Sequence, residues 1–185
     1  MPCNGHARSL ASSSHQNMNQ GTRMYRRGVG ICVVDRFNRA LVGKRLDDPT
    51  GCWQMPQGGI LDGENPYDAA LRELLEETSV TSVSLVDEME QWKSYRFPPH
   101  RAKRKGAENV VGQTHKWFLF RFTGEEADVD VHHVKEREFS QHTWMHLHHL
   151  PPQVVDYKRD VYAAVCAEFS RKLADMEPRN DEGRP

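Results

Sequence analysis

No apolar run in the 185 residues approaches the roughly 20 consecutive positions that a helical membrane span needs, so no spanning helix is expected. The four cysteines, Cys3, Cys32, Cys52 and Cys166, include no C-x-x-C pair. That absence removes the spacing of zinc and redox motifs, and a disulfide framework has no support at this length. A reducing compartment is the reading, and Cys32, inside an apolar run, is expected as a buried free thiol. Net charge is also scarce, at −1. The chain is therefore no polycation, and any anion site must be a local patch.

Acidic residues are missing altogether before Asp35. Residues 1–24 are rich in Ser, Asn, Gln, Gly and His. They read as a disordered extension or, alternatively, as part of an organelle transit segment, since such segments are poor in acids. The expected location is the cytoplasm, or an organelle matrix if the extension is a transit segment. From Met176 the last residues carry prolines and many charges and read as a flexible tail. Between them, residues 25–175 have the length of one domain with a real core, and no internal repeat occurs.

Val29 to Asp35 reads as a strand, and Ala40 to Leu46 as its neighbour across the turn Arg36-Phe37-Asn38-Arg39. Trp53 to Pro56 reads as a short strand that Gln57-Gly58-Gly59 breaks. The clearest element is a helix from about Pro66 to Thr78. Asn65 caps it, Pro66 suits its first position, and Asp68 lies in the first turn, where the helix dipole favours an anion. Leu71, Leu74, Leu75 and Thr78 form the expected buried stripe, with Glu73, Glu76 and Glu77 on the opposite face. Val80 to Tyr95 is rich in β-formers, and Phe97 to Gly112 reads as a basic loop. His115 to Phe122 is an apolar-aromatic strand, with another near Thr143 to His146. A last helix runs from Val154 or Arg159 to Leu173. These elements imply an α/β sandwich with a mixed sheet, and periodicity leaves the topology open.

Glu73, Glu76 and Glu77, at i, i+3 and i+4, bring three carboxylates within one helical turn. Such crowding is tolerated on a solvated face or around a cation, and oxygen ligands of this kind suit hard divalent ions such as Mg²⁺ or Mn²⁺. An R-E-x-x-E-E string alone says no more than a solvated helix. The preceding loop changes that. Gly58, Glu64 and Arg72-Glu73-Leu74-Leu75-Glu76-Glu77 fit the spacing G-x5-E-x7-R-E-U-x-E-E, with U apolar, and the chain thereby resembles the Nudix hydrolase superfamily. One position departs from the pattern, because Ser79 replaces the glycine that normally ends the helix, so Ser79 must accept that backbone geometry.

The resemblance implies a Nudix-type α/β/α sandwich, with a loop-helix-loop motif packed on a mixed β-sheet. It implies that Glu76 and Glu77 bind Mg²⁺, with Mn²⁺ as a substitute. Glu73 would be a further ligand or the base, and the Gly58 carbonyl another ligand, while Glu64 and Arg72 brace the loop against the helix. It extends over about residues 25–172. Tyr25-Arg26, Trp53-Gln54-Met55-Pro56-Gln57-Gly58-Gly59, Gly112-Gln113, Lys116-Trp117-Phe118-Leu119, Glu138-Phe139 and Tyr157-Lys158-Arg159 resemble one branch. That branch holds bacterial RNA pyrophosphohydrolases and plant-type asymmetric diadenosine tetraphosphate hydrolases.

By the same resemblance, Arg26, Arg45 and Lys158 are candidates for holding the polyphosphate, with surface charge as the alternative. Glu138 is a metal ligand or base. His142 stands where a tryptophan is usual, which puts local packing in doubt. Trp92 and Tyr95 are candidates for stacking on a base, with core packing as the alternative. The loop holding Arg101, Lys103, Arg104 and Lys105 reads as an attractor for the substrate or as a solvated loop. The histidines (His132-His133, and His146 with His148-His149) lack recognisable zinc spacing.

Three functions are therefore weighed. The leading one is hydrolysis of dinucleoside polyphosphates, with diadenosine tetraphosphate giving ATP and AMP; its stretches Tyr95-Arg96-Phe97-Pro98-Pro99 and Phe118 to Gly124 look closest to the plant forms. The second is an RNA 5′-pyrophosphohydrolase acting on a 5′-triphosphate RNA end. The third is a non-catalytic nucleotide-binding module, against which the intact glutamate set argues.

Overall fold

The structure, a computed structural model, describes residues 24–48, 50–99, 109–134 and 137–176. Residues 1–23 of the expected extension, the basic residues Arg101, Lys103, Arg104 and Lys105, and positions 177–185 of the expected tail lie outside the described residues.

Two long strands organise the fold. β1 (Met24–Val34) and β7 (Val110–Phe122) run parallel, with Gly30 opposite Trp117, Ile31 opposite Phe118 and Cys32 opposite Leu119. Side chains alternate across a strand, and here both faces are apolar. Val29, Ile31, Val33, Phe118 and Phe120 pack to one side; Cys32, Val34, Trp117 and Leu119 pack to the other. Each face therefore needs a helical cover. The first receives α1 (Pro66–Thr78) through Ala69, Ala70 and Leu74. The second receives α2 (Arg159–Met176) through Val161, Tyr162, Val165, Cys166, Phe169 and Leu173. The expected α/β/α sandwich with a mixed sheet is what forms.

The remaining strands are antiparallel to their partners. They are β2 (Arg39–Arg45), β3 (Trp53–Gln54), β4 (Gln57–Gly59), β5 (Val83–Glu88), β6 (Lys93–Arg96) and β8 (Phe139–His146). The order is β3-β2-β1-β7-β5, with β4 beside β1, β6 beside β7 and β8 beside β2. Because β1 and β7 are so long, each takes two partners along one edge. β4 pairs with the middle of β1 and β2 with its end, so the chain that leads from β4 into α1 enters where the sheet divides.

Several boundaries differ from the sequence reading, each for a local reason. Gln57-Gly58-Gly59 does not break the strand but forms β4, because pairing with Gly28, Val29 and Gly30 supplies the order that the glycines lack. β1 begins at Met24, ahead of any apolar alternation, since its backbone is held by β7 and by Asn109. β7 starts at Val110, inside the stretch read as a loop, and β8 starts at Phe139.

The buried arc of α1 is also rotated. Leu75 is 47% exposed whereas Glu77 is 3% exposed, so Leu75 leaves the predicted stripe and Glu77 joins the buried side. At 100° per residue, Glu77 lies beside Leu74 and Ala70, and the sheet edge covers it. The N-cap is as read: the Asn65 side chain accepts the Tyr67 N–H at 2.8 Å. At the other end Ser79 takes a left-handed φ of 61°, and its N–H closes onto the Leu75 carbonyl at 2.9 Å. His142, standing in for the usual tryptophan, is held in a different way. Glu126 takes the His142 Nε2 at 3.1 Å on one oxygen and accepts the Trp144 indole N–H at 2.6 Å on the other.

Candidate active site

Arg72 is the hub of the loop–α1 junction. Its Nε donates to Glu64 Oε1 at 2.7 Å, and its Nη2 to Glu64 Oε2 and to the Gly59 carbonyl, each at 2.8 Å. Its Nη1 donates to Glu73 Oε1 at 2.8 Å and to Glu76 Oε2 at 3.2 Å. Glu64 in turn accepts the Leu61 N–H at 2.9 Å. The bidentate Arg72 contact and that backbone donor bring the Glu64 carboxyl down to about 2. The fork joins Glu64 and Arg72, eight positions apart, and ties the loop to the helix.

Glu73 sits directly against Gly58. A side chain at Gly58 would collide with the Glu73 carboxylate, so glycine is required there for the close approach. Burial raises the Glu73 carboxyl above its usual value, against the opposing pull of Arg72. Glu77 is raised more strongly. Burial is the main cause, repulsion from Glu138 and Glu73 adds to it, and the Gln57 N–H, 3.2 Å from Glu77 Oε2, offsets part. Arg45, which also draws the Glu77 carboxyl down, forks onto Asp47 at 2.6 and 2.9 Å and reaches Glu138 at only 3.4 Å.

Gly58, Glu73, Glu77 and Glu138 thus lie together at the edge where β4 meets α1, and Glu76 lies outward on Arg72. Among the described residues, no three His, Cys, Asp or Glu side chains already converge on one point. Arg72 is hydrogen-bonded to Glu64, Glu73 and Glu76, and Arg45 to Asp47 and Glu138. The donor set nonetheless fits a hard divalent cation. Every candidate ligand is an oxygen, and burial together with repulsion from Glu138 and Glu73 penalises the charged form of Glu77, a penalty that a cation would relieve.

The predicted substrate contacts divide in two. Arg26, on the exposed start of β1, reaches across to Gly59, and Arg45 stands beside Glu138. Arg45 thus adjoins the carboxylates, and Arg26 lies against the glycine of the loop that leads to them. Lys158 and Tyr95 do not lie on an open surface. Lys158 is 5% exposed and donates to Gln54 Oε1 at 2.6 Å and Gln57 Oε1 at 3.0 Å. Tyr95 is 6% exposed, gives its hydroxyl hydrogen to Gln113, and packs edge-on against His115 and Phe97. Its ring is packed in the core, which is the alternative that the sequence offered to stacking on a base. Trp92 is half-buried, with the Arg27 guanidinium 4.5 Å from its ring centre.

Three site neighbours were not assigned from sequence. Gln54 and Gln57 were legible only as parts of a motif. His115, in a strand of apolar-aromatic pattern, gave no signal. It is buried, and neither ring nitrogen has a hydrogen-bond partner among the described residues. Burial first, then Lys158 and Arg26, lower it to about 3.

A sheet covered on both faces, with a glycine-led loop and a glutamate-bearing helix at its divided edge, defines the class of hydrolases that cut phosphoanhydride bonds by the loop-helix-loop motif. The chain belongs to the Nudix family: the model for the NUDIX domain matches residues 24–165. It is 42% identical over 160 residues to an RNA pyrophosphohydrolase of Azorhizobium caulinodans, covering 82% of this chain and 95% of that one. It is 39% identical over 166 residues to Nudix hydrolase 25 of Arabidopsis thaliana, covering 86% and 91%. Among solved structures, an Ap4A hydrolase of C. elegans is similar at a TM-score of 0.58 and 19% identity, covering 80% of this chain and 99% of that one. A dihydroneopterin triphosphate pyrophosphohydrolase of E. coli is similar at 0.61 and 19%, covering 78% and 98%. These two carry the fold alone. Nudix hydrolases generally use divalent metal cations, and among the described residues no helix is long and apolar enough to cross a membrane.

Proposed function

We propose that this hydrolase acts on 5′-triphosphorylated RNA in a Mg²⁺-dependent reaction and leaves a 5′-monophosphate end. The observation that carries the reading is the 42% identity to an RNA pyrophosphohydrolase over 95% of that protein's length. It reverses the order of the two substrates expected from sequence. Dinucleoside polyphosphate hydrolysis is the second reading, favoured by the plant-like stretches at Tyr95 to Pro99 and Phe118 to Gly124.

Glu76, Glu77, Glu138 and the Gly58 carbonyl would hold Mg²⁺, with Mn²⁺ as a substitute. A bound divalent cation supplies an acidified water and neutralises charge on the phosphate oxygens. Glu73 is the better of the two candidate bases. Burial raises its proton affinity, and Arg72 fixes Oε1 while leaving Oε2 free to take the water's proton. Glu138 lacks such a fixed orientation, since Arg45 touches it only at 3.4 Å. Arg26 and Arg45 draw the polyphosphate to this edge.

A side-by-side Mg²⁺ assay of 5′-triphosphorylated RNA and diadenosine tetraphosphate tests the reading, with Glu77→Gln as control. Faster turnover of the RNA is expected. Faster release of ATP and AMP from the dinucleotide would move the chain to the second reading, and inactivity on both would overturn the catalytic assignment.

A further inference from the structure

We propose that Lys158 is a positioning residue for the cation site, acting through Gln57, rather than a side chain that grips phosphate. The inference rests on the reading of Gly58 and Glu77 as cation ligands.

The two strands that carry the loop are too short to be rigid by themselves. β3 has two residues and β4 has three, so the link between them, Met55-Pro56, must be anchored from outside. Anchors come from several elements. The Met55 N–H donates to the Tyr162 hydroxyl of α2 at 3.1 Å, and the Pro56 carbonyl accepts the Ile31 N–H of β1 at 2.9 Å. Lys158, immediately before α2, adds the third anchor. Its ammonium has three donors, and it places two of them on the side-chain carbonyls of Gln54 in β3 and Gln57 in β4. One buried cation thus pins both strands.

Gln57 is held from its other face as well. Its backbone N–H donates to Glu77 Oε2 at 3.2 Å, and its carbonyl carbon is bonded to Gly58. If Lys158 is removed, the Gln57 side chain loses its charged partner in a buried setting, where an unmatched polar group is costly. The residue then shifts, and the Gly58 carbonyl and the Gln57 N–H lose their set against Glu77. A polyphosphate, by contrast, would have to reach a lysine that is 5% exposed and whose Nζ already donates to Gln54 and Gln57.

The test uses the full chain, with Mn²⁺ binding measured by calorimetry and kcat and KM measured on 5′-triphosphorylated RNA. Lys158→Met should weaken Mn²⁺ binding by about tenfold, the usual size of an effect transmitted through a ligand's support, and lower kcat, with KM nearly unchanged. Gln57→Leu keeps the lysine and should reproduce the loss of Mn²⁺ affinity. The double variant should be no worse than either single one. Should Lys158→Met fail to fold, Gln57→Leu alone decides the matter. A KM raised tenfold with Mn²⁺ affinity intact would make Lys158 a phosphate clamp and overturn the proposal. A wild-type chain that binds no Mn²⁺ would overturn the cation site itself, a failure read before any variant is made.

Discussion

Gln57 donates its backbone N–H to the carboxylate of Glu77, 3.2 Å away and 20 positions along the chain. One short strand and one helix thereby meet over a charge that neither could bury alone. The expected behaviour of the protein follows largely from that contact and from the groups packed around it.

Glu77→Gln should stabilise the cation-free protein while abolishing turnover. The amide keeps an oxygen for the Gln57 N–H and removes a buried charge that faces Glu138 and Glu73. Because the folded carboxyl lies above the ordinary 4.5, the folded state holds its proton more tightly than the unfolded one. That stabilisation is complete below about 4.5 and is lost as pH rises through the folded value. At pH 8 without cation, the variant should melt roughly 3–6 °C higher, equivalent to about 1–2 kcal/mol. A lower melting temperature would show that the charge is already compensated.

Ser79→Gly should be stabilising and silent in activity. Ser79 holds φ at 61°, a left-handed conformation that costs a residue with a Cβ about 1–2 kcal/mol, and glycine's greater freedom when unfolded returns part of the gain. Urea unfolding should show about 0.5–1 kcal/mol more stability. No gain would mean that the Ser79 side chain makes a compensating contact.

His115 sets an acid limb on stability. Its folded value near 3 lies below the ordinary 6.5, so the unfolded chain takes up the proton first. Stability is intact above about 6.5 and falls as pH drops below it, by roughly 2 kcal/mol between pH 6.5 and 5 if this group acted alone. Denaturation at pH 7 and at pH 5 should therefore differ less in His115→Gln than in the wild type. An equal difference in both proteins would assign the acid limb to other groups.

Arg72→Lys should break the brace while keeping the charge. Lysine has no fork with which to hold both Glu64 oxygens and the Gly59 carbonyl. The Glu64 carboxyl, now near 2, should rise toward the usual 4.5 in an NMR titration, and kcat/KM should fall about tenfold, the equivalent of one lost charge-assisted bond. An unmoved Glu64 would mean that the Leu61 N–H alone accounts for its low value.

Much of this was legible in the residues themselves. Asn65, Pro66 and Asp68 marked where α1 begins, and the spacing from Gly58 to Glu77 placed the glutamates on it, because capping and helical repeat are local properties. The burial of Glu77 and the exposure of Leu75 were not legible. A helix's apolar spacing defines a stripe, but which side chains at its margin are covered depends on the partner surface. β4 escaped notice for the same reason, since Gln57-Gly58-Gly59 has little strand preference and is ordered by β1.

The sequence by itself determined the class of chemistry, through a motif of fixed spacing whose family resemblance also implied the α/β/α architecture. Only the tertiary structure decided which charges are buried and what they touch. It buried Lys158 and Tyr95, both read from sequence as candidate substrate contacts, and left the His115 ring nitrogens without a hydrogen-bond partner among the described residues. Burial and electrostatics depend on groups brought together from distant parts of the chain, such as Gln54 and Lys158, 104 positions apart. No local pattern encodes that distance.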